Sequence, residues 1–510
     1  MNQVSAMKIN VKNMLGEKLG EKLGDDWVKV GWKNINIGEI IDFVGGGTPD
    51  KKKSEYWNGN IKWASVKDVK NKYLHETQDR ITELGLKNSS SQLAREGELI
   101  LVTRISPGKC VIAKDDIAIN QDLKIVRLKS DVSTNFLYYF FTATENEFIK
   151  RSSGTTVKGI RLEEIRNVKL NLPPLPEQRA IVSKIELLFS ELDNGIANLK
   201  LAQEQLKVYR QAVLKKAFEG ELTKEWRKSN ENQDINKFIY EIDEKRADYF
   251  LQKGKKVKKV KPVSEEEISE QSPLPLNWKH VRLNDLSFLI TDGKHGDCKN
   301  QDASGYFFIS AKDIFDGKIN YKNARQITKD DFEEVHKRTD LQPEDVLVTN
   351  AGTIGRIAIA TANDKTSKTT FQKSVAIIKK PNLLVDSKYL AYHLENDVER
   401  IKMVSKGTAQ KNLLLGTMSE LIISICPFKE QKQVVTEIET RLSVCDKVEQ
   451  DIAENLEKAE ALRQSILKKA FEGKLLSERE LEEVRLAEDW EPAEVLLKRV
   501  KAERAESGKR

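Results

Sequence analysis

Residues 177–220 read EQRAIVSKIELLFSELDNGIANLKLAQEQLKVYRQAVLKKAFEG, and residues 430–473 read EQKQVVTEIETRLSVCDKVEQDIAENLEKAEALRQSILKKAFEG. Both open with Glu-Gln and close on the same seven residues, Leu-Lys-Lys-Ala-Phe-Glu-Gly, at a constant offset of 253. A fixed long period dictates architecture and precedes any local reading. Each copy predicts one long helix. Apolar residues recur three or four apart at Ile181, Ile185, Leu188, Leu192, Ile196, Leu199, Leu206, Tyr209 and Val213. They recur likewise at Val435, Ile438, Leu442, Cys445, Ile452, Leu456, Ala459, Ile466 and Ala470. That spacing draws a narrow stripe on one face, as in a coiled-coil seam. The step Leu192–Ile196–Leu199 breaks a strict heptad and predicts a local stutter. Pro176 and the glycines Gly220 and Gly473 mark starts and stops. Lys215, Lys216, Lys468 and Lys469 complement the dipole in the last turns. So thin a stripe needs a partner, and the simplest one is the other copy.

Working outward, the same plan flanks both helices. Residues 26–174 form a first globular domain of strand-like runs (GELILVTR, 97–104; LKIVRL, 123–128) and turn clusters, with a helix over 133–149 capped by Ser133 or Thr134. Residues 273–428 repeat it with DVLVTN (345–350), KSVAIIKK (373–380) and a helix from Asp386. The 253 offset holds late in these domains, Tyr139 lying over Tyr392 and Gly154-Thr155 over Gly407-Thr408, and drifts in their first parts. The predicted fold is α+β: two similar mixed α/β domains separated by two long helices (175–220 and 429–476) in an antiparallel coiled coil, with a pseudo-twofold relation. Seam positions are Ile181, Ile185, Leu188, Leu192 and Leu199 with Ile438, Leu442, Ile452 and Leu456. At about 1.5 Å per residue the helices make a rod of roughly 63 Å, a span of about two turns of duplex DNA. Residues 1–25 read as a loose N-terminal extension, and 477–510 as a charged, helical tail. Residues 221–272 read as a charged linker: 222–250 is polar and partly helical, and the adjacent blocks of opposite sign that follow, with six lysines in the nine residues 253–261 and then SEEEISE (264–270), read as mobile, contact of the lysine run with DNA phosphates being the alternative.

Composition narrows the function classes. The chain of 510 residues has a net charge of +7, mildly basic and compatible with nucleic acid. No run approaches the roughly 20 apolar residues of a spanning helix, and the N-terminus lacks a signal-peptide pattern. Four scattered cysteines (Cys110, Cys298, Cys426, Cys445) fit a reducing cytoplasm, and the five histidines form no ligand cluster. The segment Asn171-Leu172-Pro173-Pro174-Leu175 is read as a rigid elbow, and Gly45-Gly46-Gly47-Thr48-Pro49 as a tight turn without the lysine of a phosphate loop. Asp50, Asp68 and Lys70 match a short Mg²⁺-nuclease pattern and supply a rival reading; a coiled-coil scaffold without a DNA role is another. Base edges are read by Arg, Lys, Asn and Gln carried on loops, and phosphates by cations and hydroxyls. The first domain offers Lys51, Lys52, Lys53, Tyr56, Lys67, Arg104 and Lys109 beside its turns. The second offers Lys294, His295, Lys312, Asn350, Arg356 and Lys373.

The stretches IGEIIDFVGGGTPDKKKSEYWNGNIKWASVKDV (37–69), SGTTVKGI (153–160), LPPLPEQRAIVSKIE (172–186), LPLNWKHVRLNDL (274–286), EPAEVLLKRVKAERA (491–505) and both LKKAFEG ends resemble the specificity subunit of type I restriction-modification systems, across nearly the whole chain. The resemblance implies a non-catalytic subunit whose two target recognition domains each read half of a bipartite, asymmetric site in double-stranded DNA. The helices would set the gap and bind two modification subunits that carry S-adenosylmethionine and methylate adenine N6. A motor-nuclease subunit would add ATP- and Mg²⁺-dependent cleavage, separate or fused to the methylase. No cofactor or metal is implied on this chain. One departure stands out: Cys426-Pro427-Phe428-Lys429 replaces the usual Pro-Pro-Leu-Pro/Glu, which predicts a less rigid second elbow.

Overall fold

The computed structural model describes residues 31–128, 132–154, 158–230, 234–257, 260–404 and 412–507. The extension 1–25 and the pair Gly407-Thr408 lie outside the described residues. The chain divides into two compact units, Met1–Asn198 with Asn455–Arg510 and Leu199–Glu454.

The first unit carries strands β1 (Lys33–Asn36), β2 (Ile41–Gly45), β3 (Trp57–Ala64), β4 (Tyr73–Leu74), β5 (Asp79–Ile81), β6 (Gln92–Ala94), β7 (Leu99–Val102), β8 (Cys110–Ala113), β9 (Ile117–Ile119), β10 (Leu123–Leu128) and β11 (Lys169–Leu172). They form a β1–β11 ladder, a five-stranded sheet β2-β10-β7-β8-β4 and a four-stranded sheet β5-β3-β9-β6. β7 and β8 are buried on both faces, which is why they read as continuous apolar runs without alternation. Helix α1 (Thr134–Arg151), capped by Ser133 through the Phe136 amide, buries Phe136, Leu137, Tyr139, Phe140, Phe141 and Phe148. Its Phe136 and Phe140 rings lie 5.2 and 5.4 Å from the ring of Phe471 near the end of the second long helix.

The second unit repeats the plan. Its strands are β12 (Lys279–Arg282), β13 (Leu289–Asp292), β14 (Phe307–Ile309), β15 (Ile314–Phe315), β16 (Lys318–Ile319), β17 (Arg325–Gln326), β18 (Val346–Thr349), β19 (Ile357–Ile359), β20 (Thr369–Phe371), β21 (Val375–Lys379) and β22 (Ile422–Ile425). The orders β12-β22, β13-β21-β18-β19 and β17-β14-β20 reproduce β1-β11, β2-β10-β7-β8 and β5-β3-β9 strand for strand. The duplication therefore extends into the first parts of the domains, where the sequence offset drifts. Trp32 and Trp278 precede equivalent strands at an offset of 246, and Thr82 and Thr328 are equivalent helix caps at 246. The offset rises to 253 by the caps Ser133 and Asp386, chiefly because the chain between β19 and β20 is longer than that between β8 and β9.

The long helices run Leu175–Phe218 and Phe428–Phe471, 44 residues each. In the first unit Ile181 shares a core with Ala470, while Asp193 and the ring of Phe189, further along, meet Arg463, so the two segments are antiparallel. In the second unit Arg210 bonds Asp446 and Glu449 (2.6 and 2.9 Å), while Leu214, Ala217 and Phe218 share a core with Val434, Val435 and Ile438, again antiparallel. Ile181, Ile185, Ile438 and Ile452 are buried, and Leu188, Leu192, Leu199, Leu442 and Leu456 half-buried, as a two-helix seam requires. Tyr209 departs from the expected stripe: it is 49% exposed, while Arg210 takes the interhelical position through its two acidic partners.

The repeated Glu-Gln is explained by burial. Glu177 and Glu430 have no exposed surface. Glu177 accepts the indole N–H groups of Trp32 (2.6 Å) and Trp490 (3.1 Å), and Glu430 accepts Thr223 (2.8 Å) and pairs with Arg227. Gln178 clamps the elbow by donating to Pro173 O and accepting from the Ser133 amide. Gln431 does the same with Cys426 O and the Asp386 amide, so the altered second elbow is held by the same clamp as the first.

Two segments read as linker and tail are docked. In residues 221–272, a helix over Ile235–Gln252, within the stretch expected to be partly helical, sends Ile235, Phe238 and Ile242 into the core of the second unit. The acidic run is pinned too, Glu267 bonding Arg282 at 2.7 Å. In the tail, Leu481, Ala493, Leu496, Leu497 and Val500 complete the core of the first unit.

Candidate nucleic-acid interface

In the second unit the candidate residues converge from separate loops. β13 ends at Asp292 and the chain passes Gly293, where a Cβ would stand 1.8 Å from the Phe371 carbonyl oxygen, so only glycine fits. Beyond it the Lys294 amide donates to Phe371 O (2.9 Å) and Lys294 O accepts the Lys373 amide (3.0 Å). After β14, Ser310 and Asp313 form a capping box that presents Lys312. The adjoining Ala311 amide donates to Ser374 Oγ (3.1 Å). The β18–β19 hairpin joins them, the Asn350 amide donating to Ser374 O (3.0 Å) and Asn350 O accepting the Leu413 amide (2.8 Å).

The structure separates these residues by role. Lys312 and Lys373 are exposed and suited to phosphate. Lys294 bonds Glu334 (2.9 Å) and Asp331 (3.2 Å), and the Glu334 bond foremost raises its pKa above the ordinary lysine range. His295 is exposed beside Asp292 at 3.1 Å. Arg356 is a strut, its guanidinium donating to Ala311 O (3.3 Å) and Ile314 O (3.2 Å). Asn350 is only 6% exposed, which places it beneath the surface rather than on it.

The first unit builds the same cluster with other side chains. The Gly47 amide donates to Ile119 O (3.0 Å), Trp63 Nε1 to Gly47 O (3.1 Å) and the Asn120 amide to Ala64 O (3.0 Å). Ser65 and Asp68 form the capping box that presents exposed Lys67. Lys51, Lys52 and Lys53 are exposed on the turn after Asp50. Lys53 donates to the hydroxyl of Tyr56 (3.1 Å), a contact that raises the pKa of the ammonium; the Tyr56 ring is buried and belongs to the core. In the β7–β8 hairpin the Thr103 amide donates to Asp122 O (2.9 Å), Arg104 pairs with Asp122 (3.2 Å), and Lys109 is exposed.

Position by position, Lys67 matches Lys312, Thr103 matches Asn350, Arg104 matches Ala351, Lys109 matches Arg356 and Gln121 matches Lys373. Asp68 is part of the frame: its carboxylate accepts from the Ser65 amide (2.8 Å) and the Gln78 amide (2.9 Å), as Asp313 accepts from Ser310. Asp50 is likewise engaged by the Lys52 amide (2.9 Å). The pair that suggested a metal nuclease thus shapes two turns. Single-sequence reading missed Asp122, Ser374 and Lys158, whose backbone carbonyls or hydroxyl tie the loops together; nothing in residue type distinguishes such groups from other loop residues.

Residues 29–201 and 275–458 match the sequence profile of the Type I restriction modification DNA specificity domain. The chain is 27% identical over 395 residues to the type I restriction enzyme EcoBI specificity subunit of Escherichia coli, covering 76% of each protein. It is 22% identical over 498 residues to the StySPI specificity subunit of Salmonella potsdam, covering 94% of this chain and 96% of that one. Among solved structures it superposes on a chain of a type I R-M system with a TM-score of 0.60 at 17% identity, covering 88% of this chain and all (100%) of the other. It superposes on the HsdS subunit from Thermoanaerobacter tengcongensis with a TM-score of 0.52 at 16% identity, covering 87% and 97%.

Proposed function

The chain belongs to the type I restriction-modification DNA specificity family, a family of sequence-recognising subunits, and we propose that each of its units reads one half of a bipartite, asymmetric site. One observation carries this reading: the two units hold the same loops by the same backbone bonds but arm them differently, Arg104 against Ala351, exposed Lys109 against the strut Arg356 and Gln121 against Lys373. Like scaffolds place side chains alike, and unlike side chains select unlike bases. Exposed Lys51, Lys52, Lys67, Lys109, Lys312 and Lys373 supply the phosphate contacts that fix register.

On this reading the chain is non-catalytic and acts in the cytoplasm. Two modification subunits methylate adenine N6 with S-adenosylmethionine, and a restriction subunit, separate or fused to them, uses ATP and Mg²⁺ to cleave unmodified DNA. These cofactors belong to the partners.

Single-molecule methylation sequencing of host DNA with and without this gene, partner genes intact, tests the proposal. Loss of N6-methyladenine at one split, asymmetric motif is the expected result; an unchanged methylome would sink it. A second prediction concerns Lys373→Ala in the assembled complex. Binding should weaken to a similar degree on matched and mismatched duplexes, and the slope of log K against log salt should shrink by about 0.9, one phosphate contact. An unchanged slope would remove Lys373 from the interface.

A further inference from the structure

Ile105 stands at the tip of the β7–β8 hairpin with φ of +74°, in the left-handed region. For a β-branched residue this is a strained conformation. At the corresponding turn the second unit has Gly352, φ +76°, the residue that adopts it freely. Core packing does not explain the isoleucine either, since it is 56% exposed. The surroundings hold the strained backbone in place. The Ile105 amide donates to Lys158 O (2.8 Å), the Ser106 amide to Arg104 O (3.0 Å), the Gly108 amide to Val102 O (3.0 Å) and the Ile160 amide to Thr103 O (2.9 Å). Exposed Arg104, Lys109 and Lys158 flank it, Arg104 paired to Asp122.

An apolar side chain is thus held out to solvent, at a conformational penalty, among cations suited to phosphate. The only apolar group on the major-groove edge of a base pair is the 5-methyl of thymine. We propose that Ile105 is a specificity-determining residue of the first unit that packs against a thymine methyl in its half-site. The inference rests on the recognition reading above.

The test uses the full chain in complex with its modification subunits and the target duplex defined by methylation sequencing. Each thymine is replaced in turn by 2′-deoxyuridine, which lacks only the methyl. The parent complex should lose about fourfold in affinity at one position, the worth of one buried methyl group. Ile105→Gly should bind thymine and uracil alike there, with a thermal midpoint no lower than the parent's because the strain is relieved. Parent binding that ignores every substitution overturns the proposal, as does an Ile105→Gly complex that keeps the thymine preference. So does a variant that binds thymine and uracil duplexes equally weakly while the parent also fails to distinguish them, the signature of a wedge or a phosphate-side contact. A lowered midpoint would assign Ile105 a structural role instead. Failure of the parent complex to bind the duplex at all would overturn the recognition reading itself, a result distinct from loss of the thymine preference alone.

Discussion

Glu430→Ala is expected to destabilise the second unit by about 3–5 kcal/mol, the range for removing one partner of a buried ion pair. The carboxylate is fully buried at the first turn of the second long helix. It accepts Thr223 Oγ1 at 2.8 Å and Asn277 Nδ2 at 3.3 Å, and it pairs with Arg227, whose side chain is only 15% exposed. Alanine would leave that guanidinium with Gly220 O (2.7 Å), Thr223 Oγ1 (3.2 Å) and the Trp278 ring as its remaining company. A cation out of water with its countercharge gone is the expensive outcome; the pair itself contributes far less than its breakage removes. The double variant Glu430→Leu/Arg227→Met should therefore recover much of the loss. The measurement is the urea midpoint of the full chain together with hydrogen-exchange protection of the first turns after Pro427. A single-variant loss below about 1 kcal/mol, the range of a neutral hydrogen bond, would mean that Glu430 is not the anchor its burial implies.

The same residue shows what was legible in the sequence. The Glu-Gln signature marked both helix starts because it recurs, and the stripe marked both seams because each helix needs one apolar face. Why Glu-Gln recurs was not legible: the partners lie far off, Trp32 and Trp490 for Glu177, Thr223 and Arg227 for Glu430. The docked segments were hidden for another reason. Ile235, Phe238 and Ile242 are three apolar positions in a run whose polar majority reads as solvated, yet they are the ones in the core. Among the interface candidates, residue type marked loops that the fold brings together but not the role of each side chain. Arginine and asparagine read bases, and they equally satisfy buried carbonyls. Arg356 does the second, and only the hairpin geometry reveals it.

Acidification is expected to destabilise the second unit through His393. Its ring is buried against Phe218, with centroids 4.5 Å apart, and the Ser424 amide of β22 donates to Nε2 at 2.9 Å. Nε2 is therefore the unprotonated nitrogen, and a proton there would face the Ser424 N–H. Burial above all pushes the pKa down to about 4, with Arg400 and His280 adding to the depression and Asp397, 3.7 Å from Nδ1, opposing it. An unfolded histidine titrates near 6.5. Between those values the unfolded chain binds the additional proton, so stability is full above about pH 6.5 and falls as pH drops towards 4. The total is about 3 kcal/mol, of which about 2 is lost by pH 5. His280, also lowered by burial, acts with the same sign. His393→Gln keeps an acceptor for the Ser424 amide and removes the titration. It should be less stable than the parent at pH 7.5 but should lose less between pH 7.5 and 5, the difference in slope isolating this ring from the carboxylates that protonate in the same range. Parallel stability–pH curves for the two proteins would show that His393 is not the acid-sensitive group, and that the β22 anchor survives its protonation.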